Sequence, residues 1–481
     1  MTHINTAHAA DIQALLYDLA ARFGVVGASL AIWDDGQVST VATGTANLRT
    51  MQPVTPDHLF LIGSTTKVYT ATLVMQLVDQ GLVELDQPVR RYIPDFRVPD
   101  AGATETITVR QLLSHTSGID NGPYADHGHG DDAVARYVAS LAGVPLVFPP
   151  GARYSYSNAG LVTAGRIVEA VTGQPWDIAL RDRLLQPAGL QHSFTFAEDD
   201  IMHPVAVGHI HAGEQIEGSV EAGEEGAVQA PYVVAPRWGV AGRAMGPTGS
   251  TLCATAADLA RFAALHLNAG RAEDGTQVLS ADAVASMQEQ QVTLPPGITL
   301  ADRWCVGWLG ADWGGRRTIG HTGHNVGCGS FLRVFPEEHA AFALVFNSGG
   351  DADLHHHLFQ QLARDLYGIH KPDPWLPIDP PAKLDLSAYA GTYERHQFRL
   401  RLETANGGLT AVEASEMAAP LRGQTFRPAT PYAFGTGIGD GYQVTPPAGQ
   451  LAPNIVFDGF EDGPPEFLYT VVFAARRAGL T

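Results

Sequence analysis

The sequence predicts a large α/β or α+β domain followed by a smaller all-β domain. Three observations predict it. The chain opens with a helix and then a β-hairpin, the order in which layered α/β and α+β domains begin. A proline-rich stretch interrupts it near residue 371. Beyond that break the composition turns to Gly, Tyr, Phe and Thr in short alternating runs.

Asp11 to Phe23 has apolar residues at helical spacing. Val25 to Trp33 reads as a strand, Asp34-Asp35-Gly36 as a hairpin turn, and Gln37 to Thr45 as the returning strand. Ser64 to Gln80 has Val68, Leu73, Val74, Leu77 and Val78 on helical positions, with Gly81 as its stop. Thr108 to Ser114 is a short helix. Ala159 to Thr172 is a longer one ended by Gly173, and Ala254 to Asn268 another, with Gly270 after it. Thr318 to Gly320, Ser330 to Phe335 and Ala341 to Asn347 read as paired strands, closed by a helix over Ala352 to Tyr367. Lys371 to Pro381 carries prolines at 372, 374, 377, 380 and 381 and predicts an extended linker. Leu384 to Thr481 is expected to form a small barrel or sandwich. The predicted organisation is thus 1–370, a linker over 371–383, and 384–481.

The chain has 481 residues and 45% hydrophobic content, ordinary for a globular protein with a large core. Its formal charge of −20 repels phosphate backbones, so nucleic acid is not expected as a partner. Cys253, Cys305 and Cys328 are far apart in sequence, odd in number and without a CxxC pair, so reduced thiols are expected. The start, MTHINTAHAADIQ, lacks a basic and an apolar segment, and no apolar run is long enough for a membrane span. A cytoplasmic protein without membrane attachment is the expectation.

Candidate chemistry lies in three places. Ser64-Thr65-Thr66-Lys67 stands at the start of a helix, where a three-residue spacing puts Ser64 and Lys67 on one face. A serine there feels the positive end of the helix, and a lysine of lowered pKa beside it can serve as base. Tyr156-Ser157-Asn158 supplies a phenol able to act as base or proton relay, and an amide suited to hold Lys67 and a substrate amide. His321-Thr322-Gly323 lies in a predicted edge strand. Such a strand can pair with an extended acyl group, and a glycine permits close backbone approach. His127 and His129 sit in an Asp- and Gly-rich loop expected to be solvated. His355, His356 and His357 are consecutive on a helix and point in different directions. No metal site and no cofactor is expected. Glu214 to Glu225 reads as an exposed acidic insertion.

The order SxxK, YxN, then a basic residue with Thr-Gly on a late strand is far more specific than any one part. Gly63 to Lys67, Thr108 to Gly118, Pro150 to Gly160 and Gly320 to Ser330 resemble the penicillin-binding-protein and class C β-lactamase superfamily. The resemblance spans roughly residues 10–370. It implies the serine β-lactamase-like transpeptidase fold, an antiparallel sheet flanked by helices. It also implies roles. Ser64 would attack the acyl carbon, Lys67 and Tyr156 would manage its proton, and Asn158 would orient Lys67 and substrate. The backbone N–H groups of Ser64 and His324 would form the oxyanion hole, with Thr322 and Gly323 lining the acyl group. His321 stands where many β-lactamases have lysine. This departure weakens the case for binding a β-lactam carboxylate and resembles the esterase and peptidase branches.

Ser387 to Glu394 resembles the opening strand of lipocalin-like domains appended to D-amino-acid peptidases and to penicillin-binding-protein-type thioesterases. The latter release or cyclise nonribosomal peptides with a D-configured C-terminal residue, so a carrier-protein-bound thioester is an implied partner. By the same resemblance Arg476 or Arg477 would hold a peptide carboxylate. Three readings follow: an acyl transferase or hydrolase for peptides, a carboxylesterase or D-specific amidase, and, least favoured, a β-lactamase or a non-catalytic binding module.

Overall fold

The computed structural model describes residues 6–212, 232–236, 242–298, 300–374, 376–377, 384–436, 445, 450–460 and 463–479. The first helix, Thr6–Phe23, leads into the strand Gly27–Asp34 and its return, Gln37–Asn47. Asp35 and Gly36 between them both have positive φ, 43° and 91°, as a two-residue hairpin turn of this sequence requires.

These two strands belong to a nine-stranded antiparallel sheet. From edge to edge it runs Gln52–Pro53, Gln37–Asn47, Gly27–Asp34, Ala340–Phe346, Cys328–Phe335, Arg316–Asn325, Leu309–Trp313, Arg303–Trp304 and Val292–Thr293. Alternation along Gly27–Asp34 divides the core. Leu30 and Ile32 pack with Leu16 of the first helix and with Leu354 and Leu358 of the closing helix, Asp351–Tyr367. Ala31 and Trp33 face the opposite layer, built on Thr66–Asp79, Asn158–Thr172 and Ala256–Leu267. Those helices carry the signals expected of their ends. Thr255 and Ser157 accept N-cap bonds from Asp258 and Gly160, and Gly173 adopts a left-handed φ of 70° after the second.

Two sequence expectations change in detail. Ser64 precedes the helix proper, in a 3₁₀ turn over Gly63–Thr65 that runs into Thr66–Asp79. The strand carrying His321 is interior to the sheet, yet its pairing with Leu309–Trp313 ends at the Leu309–Gly320 pair. Residues His321 to Asn325 are paired only with Cys328 to Leu332, so one side of this segment is a local edge.

In the C-terminal region Gly391–Arg395, Phe398–Ala405, Gly408–Ala414, Thr425–Pro428, Ala433–Thr436, Gln450–Asp458, Phe467–Thr470 and Phe473–Arg477 pair in succession. The last strand returns to the first through Tyr393–Arg477 and Glu394–Arg476, closing an eight-stranded up-and-down barrel. Tyr393, Leu400, Phe426, Phe434, Phe457 and Leu468 fill it. Of the predicted linker, Leu376–Pro377 pairs with Gln450 and Leu451 of the barrel; residues 375 and 378–383 lie outside the described residues.

The barrel is packed against the sheet domain through a shared core. Phe148, Tyr154, Tyr156 and Trp304 of the sheet domain meet Val456, Phe467, Tyr469 and Val472 of the barrel. Tyr469 Oη donates to the carbonyl of Tyr154 (2.8 Å), and the N–H of Ala474 donates to Ser155 Oγ (3.1 Å).

Candidate active site

Ser64 is held by backbone contacts that only glycine permits. Gly63 has φ of 56°, and a Cβ on it would stand 2.6 Å from the backbone N of His324. A Cβ on Gly323 would stand 1.9 Å from the carbonyl oxygen of Ile62 and 2.7 Å from the N of Ser64. The main chains of the serine turn and of the local edge are therefore in direct contact, and the amides of Ser64 and His324 flank that contact. Ser330 Oγ ties the two further, donating to the carbonyl of Ile62 and sharing a hydrogen bond with Thr65 Oγ1, each at 2.8 Å.

Lys67 is fully buried. Its Nζ lies 2.9 Å from Ser64 Oγ and donates to the carbonyl of Thr248, also at 2.9 Å. Burial drives its pKa well below the usual lysine value. With the amine neutral, one N–H serves Thr248 while the lone pair can accept the Ser64 proton. The unfolded chain would hold that lysine protonated, so keeping it neutral costs folding stability at every pH below the ordinary lysine value. The expectation that Asn158 orients Lys67 is corrected here: the carbonyl of Thr248 takes that place, and Asn158 Nδ2 donates instead to Tyr124 Oη at 2.8 Å.

Tyr156 is buried, with its ring 4.8 Å from Lys67 Nζ and its hydroxyl hydrogen-bonded to Ser64. Burial raises its pKa, which outweighs the lowering effect of the Ser64 bond. Of its two expected roles, proton relay fits this phenol and phenolate base does not. Its backbone is fixed from the barrel, since its N–H donates to the carbonyl of Val472 (3.1 Å) and Phe473 meets its ring edge-on at 5.6 Å.

His321 is buried, and its pKa falls to about 3, first through burial and then through the nearby Lys67. The ring is neutral at physiological pH; its Nδ1 donates to the carbonyl of Thr322 at 2.6 Å. Thr322 itself is half-buried and pairs with Phe331 across the sheet. His324 is placed by its side chain as well as its backbone, with Nε2 2.7 Å from Asp351 Oδ2.

Arg476 and Arg477 serve the barrel. Arg476 pairs with Glu466 (3.1 Å), and Arg477 donates to the carbonyls of Ala388 and Ala390 at 2.7 and 2.5 Å. The strand that pairs with Gly391–Arg395 thus turns both guanidinium groups to local partners. The acidic stretch Glu214 to Glu225 lies outside the described residues.

Several residues at the site carry no sequence signal of their own. His115, at φ of 57°, lies under Tyr156 at 4.3 Å between ring centroids. Its Nδ1 accepts the N–H of Ser157 (3.0 Å), and its carbonyl accepts that of Ser155. Trp304 stands edge-on between them, 4.4 Å from His115 and 5.6 Å from His321. His115 falls inside the Thr108–Gly118 match, which gave no hint of its contact; Trp304, Thr248 and Phe473 fall in no motif. The consecutive histidines do diverge. His355 stacks on Phe331, His356 bonds Lys371, and His357 stacks on Phe23.

The beta-lactamase family model matches residues 12–365. The chain belongs to the beta-lactamase family. It is a serine hydrolase of that family. Penicillin-binding protein 4 of Amycolatopsis lactamdurans is 42% identical over 378 residues, 78% of this chain and 95% of the relative. An unguisins hydrolase of Aspergillus violaceofuscus is 25% identical over 83% of this chain and 78% of its own. Among solved structures, SurE with D-Leu superposes at a TM-score of 0.75 and 28% identity, covering 98% of this chain and 100% of that one. The D-amino acid amidase of Ochrobactrum anthropi SV3 with L-phenylalanine amide reaches 0.62 at 25% identity, covering 75% of this chain and 100% of that one. The similarity to SurE thus extends over the barrel as well as the sheet domain. Among the described residues, no helix is long and apolar enough to cross a membrane.

Proposed function

We propose that this protein forms an acyl-enzyme on Ser64 with peptide-type acyl donors, and that its specific reaction is release or cyclisation of a peptidyl thioester ending in a D residue. The observation that carries the reading is the buried, proton-poor Lys67 amine 2.9 Å from Ser64 Oγ. Ser64 Oγ attacks the acyl carbon as its proton passes to Lys67 Nζ. Negative charge collects on the acyl oxygen, where the N–H groups of Ser64 and His324 each supply about 3 kcal/mol of transition-state stabilisation. The protonated Tyr156 relays a proton to the leaving group. An incoming water or amine then reverses the sequence and frees the serine.

The peptide class draws support from the relatives. SurE was crystallised with D-Leu, and the amidase with phenylalanine amide. His321 contributes no cation at neutral pH, which disfavours capture of a β-lactam carboxylate. A second reading, a carboxylesterase, draws on 33% identity to Esterase EstB of Burkholderia gladioli over 40% of this chain and 55% of that protein.

The test incubates the protein and its Ser64→Ala variant with a peptidyl thioester ending in a D residue, reading products by mass. A Ser64-dependent cyclic product is expected. A Ser64-dependent linear acid moves the assignment to hydrolysis. Turnover of short-chain esters far faster than any peptide favours the esterase. Retained acylation in Ser64→Ala removes Ser64 as nucleophile.

A further inference from the structure

An ion pair between Asp120 and Arg395 joins the two domains beside the site, and the acyl-transfer scheme above does not use it. Asp120 follows the His115 segment and is 2% exposed. Its Oδ1 accepts the backbone N–H of Asn121 at 2.5 Å, and its Oδ2 accepts that of His396, in the barrel, at 2.6 Å. Its carbonyl accepts Ser157 Oγ at 3.1 Å, next to Tyr156 in the chain. Arg395 Nη1 stands 3.7 Å from Asp120 Oδ1, and the arginine side chain is 6% exposed. Its guanidinium lies over two barrel rings, 4.9 Å from the centroid of Phe398 and 5.1 Å from that of Phe473. Phe473 in turn meets the Tyr156 ring at 5.6 Å.

Both charges are thus held out of water where the barrel meets the sheet domain. Burial raises the Asp120 pKa, and the Arg395 charge is the first effect opposing that rise. A buried ion pair that loses one member leaves the other desolvated without its counter-charge. Without the Asp120 carboxylate, the guanidinium is drawn off the Phe473 face toward water. Without Arg395, Phe473 loses the group that covers it. In either case the ring that meets Tyr156 edge-on is no longer fixed.

We propose that Asp120 and Arg395 are positioning residues for the proton relay, holding Phe473 against Tyr156 so that donors with basic leaving groups can be used. The inference rests on the acyl-enzyme reading with Tyr156 as relay, and deepens it. As the C–O bond of an alkyl ester breaks, the alkoxide must take a proton. That proton is the one Ser64 gives up, returned through Lys67 and Tyr156. A 4-nitrophenolate departs without it.

The experiment compares the ethyl and 4-nitrophenyl esters of N-acetyl-D-alanine on the unaltered enzyme, on Arg395→Gln, on Asp120→Asn and on the double variant. The readout is the ratio of the two kcat/KM values. Circular dichroism checks the fold, and fluorophosphonate labelling of Ser64 checks the nucleophile. Each single variant is expected to lose about tenfold on the ethyl ester relative to the 4-nitrophenyl ester, part of the roughly hundredfold or more that a positioned general acid contributes. The double variant should do no worse than Asp120→Asn alone, because a neutral pair leaves neither charge uncompensated. A merely structural defect would lower both esters equally. Equal losses, an unchanged ratio, additive losses in the double variant, or failure of the unaltered enzyme on the ethyl ester alone would each overturn the proposal. If the 4-nitrophenyl ester does not acylate Ser64 in the unaltered enzyme, the acyl-enzyme reading itself falls, and this inference with it.

Discussion

The two sides of the site are built differently. On the serine side, Ser64 and Lys67 lie within one turn, and their supports, Ile62, Thr248, Gly323 and Ser330, all belong to the sheet domain. On the tyrosine side, Tyr156 lies in an extended segment before a helix, and barrel residues hold it: Val472 its backbone, Phe473 its ring, Tyr469 and Ala474 its neighbours. The nucleophile is set by local chain geometry. The proton relay is set by contact between two domains. Damage to the barrel should therefore separate the two functions.

The largest effect is expected from Gly323→Ala, which strikes the serine side. Its Cβ would lie 1.9 Å from the carbonyl of Ile62, so the two main chains must part. Turnover should drop at least a hundredfold, as for loss of one oxyanion donor. Steady-state rates and intact-mass measurement of Ser64 acylation check this; near-normal rates would mean the contact between these chains is dispensable.

Phe473→Ala strikes the tyrosine side alone. Removing a partly buried ring beside Tyr156 should reduce kcat roughly tenfold and lower stability by about 1–3 kcal/mol. Labelling of Ser64 by fluorophosphonate, which asks little of the relay, should persist. Parallel loss of labelling and turnover would erase the distinction between the two sides. Arg477→Ala should have the smallest effect on chemistry. It removes bonds to two barrel carbonyls, lowering the melting temperature while leaving KM for a peptide acid or thioester unchanged. A large rise in KM would instead assign Arg477 the carboxylate-binding role.

The same contrast explains what could be read from sequence. The pairing of Ser64 with Lys67 was legible because it follows from near neighbours, and so were the hairpin at Asp35-Gly36 and the helix ended by Gly173; the 3₁₀ turn over Gly63–Thr65 was not. The barrel was legible as an all-β segment, but short alternating runs do not reveal whether the last strand meets the first. That depends on pairs such as Tyr393 with Arg477, more than 80 positions apart. The local bonds of Arg477 were hidden for the same reason, since its carbonyl partners come from a distant turn. Thr248, His115, Trp304 and Phe473 went unseen because each acts through position in space, and three of them through shape or a backbone atom that no side-chain pattern encodes. Asn158 was recognised but assigned the wrong neighbour, because Tyr124 comes from a loop without periodicity.

Four glycines bear on how such a protein can change over time. Gly63 abuts His324, Gly249 abuts Gly63, Gly323 abuts Ile62, and Gly329 abuts Gly323, each through main-chain atoms. No side chain lies between these segments, so no second substitution can restore volume after a first one has taken it away. Saturation mutagenesis should find these positions closed to all replacements, polar or apolar. Around them, contacts such as that of Phe473 with Tyr156 run through side chains, where a second substitution can answer a first. New substrates can therefore be gained by variation of the walls, in lineages that leave the spacing of the two amides untouched.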